Sequence, residues 1–400
     1  MAAIYRFYHD QLHNLRARVT IRWIRLSAVL SPPAGPSELE EELLVFGNNK
    51  SVSREEVLHA LESVQDPELR RDLVSLGMVE NVEIRGPKVS FTVALTTPAC
   101  PLRSQIEQDA RSAVLALPGI ESVDIKWSSR VPSGVRQKEA IPGIKNVIAV
   151  GSGKGGVGKS TVSVGLAITL AETGAKVGLL DADIWGPNIP QMMGVQVPPH
   201  QSGQKIVPGL SYGVKMISMG FFVTADQAVV WRGPMVGKMV TQLLTDVEWG
   251  ELDYLIVDLP PGTGDASLSL AQAIPLAGLV VVATPQEVAL ADAAKAIGMF
   301  EHLEVPILGV VENMSYFFCP HCHERTDIFG HGGAKKLADD HGVPLLGEIP
   351  LEPAVRAGGD VGQPVMVQDP TSPVAAAFRE IAGLMAARVS VLDLTPAASS

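Results

Sequence analysis

Two hydrophobic rhythms divide the chain. From about residue 146 onward, apolar residues come as short continuous runs at 147–150, 177–181, 215–218, 254–258, 279–283, 307–312 and 345–348. Strands read this way when helices cover both faces of a parallel sheet. The pattern predicts a doubly wound, mostly parallel α/β domain over residues 146–388. Ahead of it, residues 79–85 and 88–95 alternate around the turn Gly86–Pro87, as paired strands do. Residues 54–64 have helical spacing, introduced by Ser53 with Glu56 three positions on, the signature of a capping box. A loop at 96–101, a helix at 102–117 and a strand at 120–126 complete a small α+β domain over 51–127. The polar stretch 128–145, with its Pro and Gly turns, reads as a linker. The last helix, predicted near 374–388, sets Val374, Phe378, Ile381 and Met385 on one face for core packing, and 389–400 reads as a flexible tail.

Composition narrows the partners. Of 400 residues 46% are hydrophobic and 19% charged, as in a soluble globular protein, and no apolar run reaches the roughly 18 residues of a membrane span. A net charge of −11 speaks against coating nucleic acid, which needs a basic face. Neither nucleic acid nor membrane is therefore an expected partner. The three cysteines, Cys100, Cys319 and Cys322, make no disulfide framework, which points to a reducing compartment, the cytoplasm. Residues 1–50 are separate: Arg6, Arg16, Arg18, Arg22 and Arg25 face one early acid, Asp10, ahead of a proline-rich stretch. A disordered or mis-called extension is the simpler reading, and organellar import follows only if this is a real presequence.

Candidate chemistry begins at GSGKGGVGKS, residues 151–160, which holds the pattern GxxxxGK[ST] between a predicted strand and a predicted helix. Gly151, Ser152, Gly153, Lys154, Gly155, Gly156, Val157, Gly158, Lys159, Ser160 and Thr161 are the expected nucleotide cradle. Backbone N–H groups and the helix N-terminus meet the phosphates, Lys159 reaches the β- and γ-phosphates, and the Ser160 hydroxyl binds Mg²⁺. A chance glycine-rich turn is the bland alternative. Two further predicted strands end in acids: LLDADIWGPNIP brings Asp181 and Asp183, and YLIVDLPPGTGD brings Asp258 ahead of a turn at 262–264. Such acids often only cap helices. Beside a P-loop they suit a metal-bound water (Asp181, Asp258) and orientation of the attacking water (Asp183).

Lys154 resembles the extra lysine of the deviant Walker-A ATPases, the MinD, ParA and nitrogenase iron-protein group. That resemblance implies a homodimer with ATP sandwiched between subunits, Lys154 acting on the partner's nucleotide, and Asn313 of ENMS contacting adenine. Cys319–Pro–His–Cys322 then supplies half of a tetrahedral thiolate site. Across a two-fold axis two such halves would hold a [4Fe–4S] cluster or a zinc ion. A thiol–disulfide centre and an inert turn are the alternatives, and His321, His323 and His331 are expected to be solvated.

DADIWGPNIP, WRGPM at 231–235, DLPPGTGD, ENMSYFFCPHC and DIFGHGGA together resemble the Mrp (ApbC-like) iron–sulfur carrier P-loop ATPases over residues 144–388. The resemblance implies a cluster held between subunits and handed to apo-proteins, scaffold proteins being further partners. ATP binding and slow hydrolysis act as the switch. DPE at 66–68, residues 72–79 and TTPACP at 96–101 resemble the SufT-like domain of iron–sulfur assembly factors. Cys100, at the start of a helix, is then expected as a transient cluster contact with its thiolate favoured by the helix N-terminus; a buried structural cysteine is the alternative. Two other functions compete. A MinD/ParA-like partitioning ATPase needs a basic or amphipathic surface, and an ATP-driven electron donor carries its cysteines singly.

Overall fold

The computed structural model describes residues 52–133, 140–195, 199–222 and 233–394. The extension 1–50, residues 134–139 of the linker, Trp231 and Arg232 of WRGPM, and tail residues 395–400 lie outside the described residues.

An eight-stranded sheet organises the larger part. Its order is Gly209–Ser211, Val214–Ser218, Val177–Asp181, Leu252–Asp258, Ile144–Ser152, Gly278–Ala283, Ile307–Asn313, Leu345–Ile349. Seven strands run parallel; Gly209–Ser211 pairs antiparallel at the edge. All seven predicted strands are present, Val177–Asp181 with its predicted bounds and the other six extended by one to five residues at their ends. The edge strand has only three residues, none of them buried, so no hydrophobic run announces it. Helices cover both faces because both are apolar. Lys159–Glu172 and Pro373–Leu394 pack on one, and Gly233–Asp246, Asp265–Ala273, Glu287–His302 and Gly333–Asp340 on the other. The strand Ile144–Ser152 lies between Leu252–Asp258 and Gly278–Ala283, where the winding order reverses. Ligands of open α/β sheets bind in the crevice beyond the carboxyl ends of the strands at such a point.

The small α+β region is a three-stranded sheet, Val79–Arg85, Lys88–Leu95 and Ser122–Ser129, the last pair parallel through the crossover helix Arg103–Leu115. Helix Arg54–Leu61 carries the capping box, with Ser53 Oγ accepting from the Glu56 N–H and Glu56 accepting from the Ser53 N–H. Val57, Leu61, Ile106, Ala110 and Val114 fill the space under Phe91 and Val93.

Two sequence readings need correction. The terminal helix runs on to Leu394, so residues 389–394 of the supposed tail are helical, and Val389 and Ser390 are buried. The linker is also shorter, since both flanking strands enter it and Val131 packs into the large core. One cause underlies both. The loop 96–101 of the small region lies against the terminal helix. Tyr254 Oη donates to Thr97 Oγ1 at 3.2 Å, Ser390 Oγ to the Thr96 carbonyl at 3.5 Å, and a Cβ on Gly383 would come within 2.9 Å of the Ala99 carbonyl oxygen. These contacts lie at the amino ends of the strands, opposite the crevice.

Candidate nucleotide site and cysteine hairpin

The loop between Ile144–Ser152 and Lys159–Glu172 closes tightly because its glycines allow it. Gly158, the residue before the helix, has φ 85° and is pressed against Asn313, whose Nδ2 donates to the Val157 carbonyl at 2.8 Å. A side chain at Gly153 would overlap the Asp292 backbone. The turn at 262–264 is tied to the loop by the Gly262 N–H, which donates to the Ser152 carbonyl at 2.8 Å.

A buried ionic cluster lies beneath the loop. The Lys159 ammonium donates to Asp258 Oδ2 at 2.7 Å and lies 3.6 Å from Asp183 Oδ2. Ser160 Oγ donates to the same Asp258 oxygen at 2.7 Å, and Ser163 Oγ to Asp258 Oδ1 at 2.6 Å. Asp181 is fully buried, accepting from Ser218 Oγ at 2.8 Å and from the Asp183 N–H at 3.2 Å. Burial, with Asp258 adding repulsion, pushes the Asp181 carboxyl up to about 7 despite these donors. Burial also raises Asp183, with Lys159 opposing. Three carboxyls thus share one ammonium beneath the phosphate-binding loop.

A cavity of ≈ 400 Å³ opens above, lined among others by Lys154, Gly156, Lys159, Ser160, Asp183 and Trp185. An adjoining cavity of ≈ 450 Å³ shares Thr161, Asn188 and Met192 with it and extends to Asn313, Leu351 and Arg356. Together they have the size of a small-ligand cleft, with Lys154 and Lys159 at one end and Arg356 with Glu352 and Asp360 at the other. Of the expected cradle, Lys154, Gly155, Gly156, Gly158, Lys159, Ser160 and Thr161 line the first cavity with Ser152. Gly151 and Val157 are buried behind it, and Gly153 is half-buried against the Asp292 backbone. Asp183 reaches this cavity, whereas Asp181 lies below, facing Asp258. Sequence reading missed Ser163 and Ser218, which hold the carboxylates, and Asn188, Met192 and Arg356, which shape the cleft. Ser163 had a signal, falling one helical turn after Lys159 on the same face.

The strand Ile307–Asn313 leads to the second site. Phe317–Phe318 pairs antiparallel with Arg325–Thr326, and Cys319 to Cys322 lie at the tip of this hairpin. The Cys319 N–H donates to the Glu324 carbonyl at 3.0 Å, and the His323 N–H to the Cys319 carbonyl at 2.8 Å, closing the turn with His323 at φ 58°. Both thiols are free; Cys322 is exposed and Cys319 partly so. The backbone N–H groups of Cys322 and His321 lower the Cys319 thiol below its usual range. His321, His323 and Glu324 are exposed. Among the described residues no three His, Cys, Asp or Glu side chains converge as a metal cage.

Cys100 corrects a further expectation. Burial pushes its thiol up to about 11, with Glu68 and Asp66 adding to the rise; the N–H groups of Leu102 and Arg103 offset only part. The helix N-terminus is outweighed by desolvation and two carboxyls. Cys100 also belongs to the loop at the amino ends of the strands, so one chain does not bring it together with Cys319 and Cys322.

Similarity to known proteins follows the same division. The family described as NUBPL iron-transfer P-loop NTPase matches residues 143–386, and an iron-sulfur cluster assembly protein family matches 54–127. The chain belongs to the NUBPL iron-transfer P-loop NTPase family. It is 51% identical to the iron-sulfur cluster carrier protein of Synechocystis over 84% of this chain and 98% of the relative. It is 48% identical to the iron-sulfur cluster transfer protein NUBPL of Dictyostelium discoideum over 65% of this chain and 83% of the relative. A nucleotide-binding protein from Archaeoglobus fulgidus, solved in complex with ADP, superposes with a TM-score of 0.53 at 41% identity, covering 60% of this chain and 93% of that one. As a P-loop NTPase of this family the chain is an ATPase, and no helix among its described residues is long and apolar enough to cross a membrane.

Proposed function

We propose that the chain is an ATP-switched carrier that holds an iron–sulfur cluster between two copies of itself and delivers it to apo-proteins, with scaffold proteins as the source. The observation that carries this is the exposed, half-complete thiol pair on a hairpin rooted in the strand whose Asn313 touches the phosphate-binding loop. Carrier and transfer proteins are also what the similar chains are called.

In this reading the 151–161 loop takes the triphosphate, and Lys159 leaves Asp258 for the phosphates. Ser160 and Asp258 would hold Mg²⁺, which would supply charge neutralisation at the phosphates. Asp183 orients the attacking water, and water adds to the γ-phosphoryl as ADP leaves. Asp181 stays below as a carboxyl tuning Asp258. Lys154 reaches the nucleotide of the other subunit, where an added cation stabilises the transferring charge. Asn313 meets adenine. Hydrolysis is slow, because nucleotide state sets the dimer geometry. Cys319 and Cys322 of each copy supply four thiolates, for a [4Fe–4S] cargo or, in its place, zinc; Cys100 is a transient contact when its loop opens. The cytoplasm is the proposed compartment.

The test is transfer. Chain reconstituted with iron and sulfide without oxygen should restore activity to the apo form of a cluster-requiring enzyme, and the Cys319→Ala/Cys322→Ala double variant should restore none. Equal restoration by the double variant would contradict the proposal.

A further inference from the structure

Among the described residues, Glu312 is the one buried carboxylate at the crevice end of the sheet to which neither ATP chemistry nor thiol ligation gives a task. It is 1% exposed. Its two oxygens are answered from opposite ends of the cysteine excursion: Ser315 Oγ donates to Oε1 at 2.5 Å, and the Ala334 N–H, at the start of helix Gly333–Asp340, donates to Oε2 at 2.8 Å. Residues 315 and 334 bracket everything between them, including the hairpin and its thiols. Glu348, the register partner of Glu312 on the neighbouring strand, lies 3.9 Å from the Arg325 guanidinium in the returning strand of the hairpin. Arg325 in turn stacks 4.3 Å over Tyr316 and donates to Asp327 at 2.9 Å. Two adjacent acids of the sheet therefore grip the excursion, one at its base and one along its side.

The next residue on the same strand is Asn313, bonded to the Val157 carbonyl in the phosphate-binding loop. Consecutive strand residues point to opposite faces. One face of this strand end senses the loop, and the other holds the base of the hairpin. Binding of a nucleotide at Asn313 has a short, covalent route to Glu312, and from there through two hydrogen bonds to both ends of the excursion.

We infer that Glu312 is the positioning residue that couples nucleotide occupancy to the cysteine hairpin. This rests on the carrier reading for its purpose, but not for its measurement. A ligand moves an equilibrium only through contacts that differ between its two states, and here those contacts run through Asn313 and the carboxylate behind it.

The experiment follows the alkylation rates of Cys319 and Cys322 in the full-length, metal-free chain by peptide mass mapping. Measurements are made without nucleotide, with Mg-ADP and with Mg-ATP. In the wild type the rates should differ between nucleotide states by about five-fold or more, the lower range of ordinary coupling. Glu312→Ala should bring the three rates to within about two-fold while nucleotide affinity stays within about two-fold of wild type, well below a coupled effect. Glu312→Gln, which still accepts one of the two bonds, should keep part of the difference. Should Glu312→Ala not fold, Ser315→Ala severs one arm and should give the intermediate result. A merely structural role would raise all three rates together and leave their ratio unchanged. That outcome overturns the inference, as does a wild type whose rates ignore nucleotide. Iron loading of the same wild type, read separately, tests the carrier proposal, so failure of one is distinguishable from failure of the other.

Discussion

In the nucleotide cleft the buried charged groups are answered within the chain: Lys159 by Asp258 and Asp183, Asp258 also by two serines, Asp181 by Ser218. At the cysteine hairpin the backbone is closed by its own turn, while Cys322 at its tip faces solvent, its Sγ 3.9 Å from Glu324 Oε2, and Cys319 is half-buried. Both stand at the carboxyl end of one sheet and are reached from neighbouring elements. The floor of the cleft is thus buried, with its geometry over-determined by packing, while Gly155, Gly156 and Trp185 at its mouth are exposed. The hairpin tip is open, with Cys322 exposed and Cys319 half-buried, both as free thiols. A site that must grip a nucleotide needs the first construction, and one that must give up its cargo suits the second.

Cutting the two sites apart gives the largest expected effect. Cys319→Ala with Cys322→Ala should abolish iron retention after anaerobic reconstitution, measured by metal analysis. Nucleotide affinity should stay within about two-fold, because no residue of the cleft bonds to the thiols. A parallel collapse of nucleotide binding would erase the contrast. Next, Lys159→Ala removes the ammonium that Asp183 and Asp258 share and the cation expected at the phosphates. Losing a charged contact of about 3 kcal/mol lowers ATP affinity roughly 100-fold, read by calorimetric titration. Ser163→Ala deletes one donor to buried Asp258 and should cost about 1–3 kcal/mol in a denaturant midpoint, with iron retention unchanged.

How much of this contrast could be read beforehand depended on whether the cause was local. Residues 177–181 announce their strand because all five are apolar or strand-ending and all five are buried. The thiol pair and the phosphate-binding loop are equally plain, since their chemistry resides in adjacent residues. Ser218 and Asp181 lie 37 positions apart and meet only because Val214–Ser218 pairs in register with Val177–Asp181. Cys100 was misjudged for the same reason. Its local setting, a helix start, favours a thiolate, but its burial with Glu68 and Asp66 nearby is tertiary. In the extra six residues of the terminal helix, Ser390 likewise meets the Thr96 carbonyl and Val389 enters the large core, contacts no periodicity shows. The bond from Asn313 to Val157 spans 156 positions, so the link between the two sites was hidden even though each site was visible.

The smallest expected effect concerns pH. Asp181 stands at about 7 in the folded chain against 3.8 as the ordinary value, and Glu68 at about 7 against 4.5. Between those limits the folded state holds more protons than the unfolded one. Stability from these groups is therefore full below about pH 4 and falls as pH rises toward about 7. Asp181→Asn should reduce the cleft's share of that slope in melting temperatures taken from pH 4.5 to 7.5, leaving the shares of Asp183 and Glu68. A slope of the opposite sign would show Asp181 ionised in the folded chain.

The central claim is that the half-site at the hairpin is completed by a second copy. Light scattering coupled to size exclusion, with iron analysis of the same peak, tests it most directly on chain reconstituted without oxygen. The account predicts a two-chain mass with about two iron atoms per chain, one four-iron cluster shared by four thiolates. A single-chain mass carrying a full four-iron cluster would contradict it.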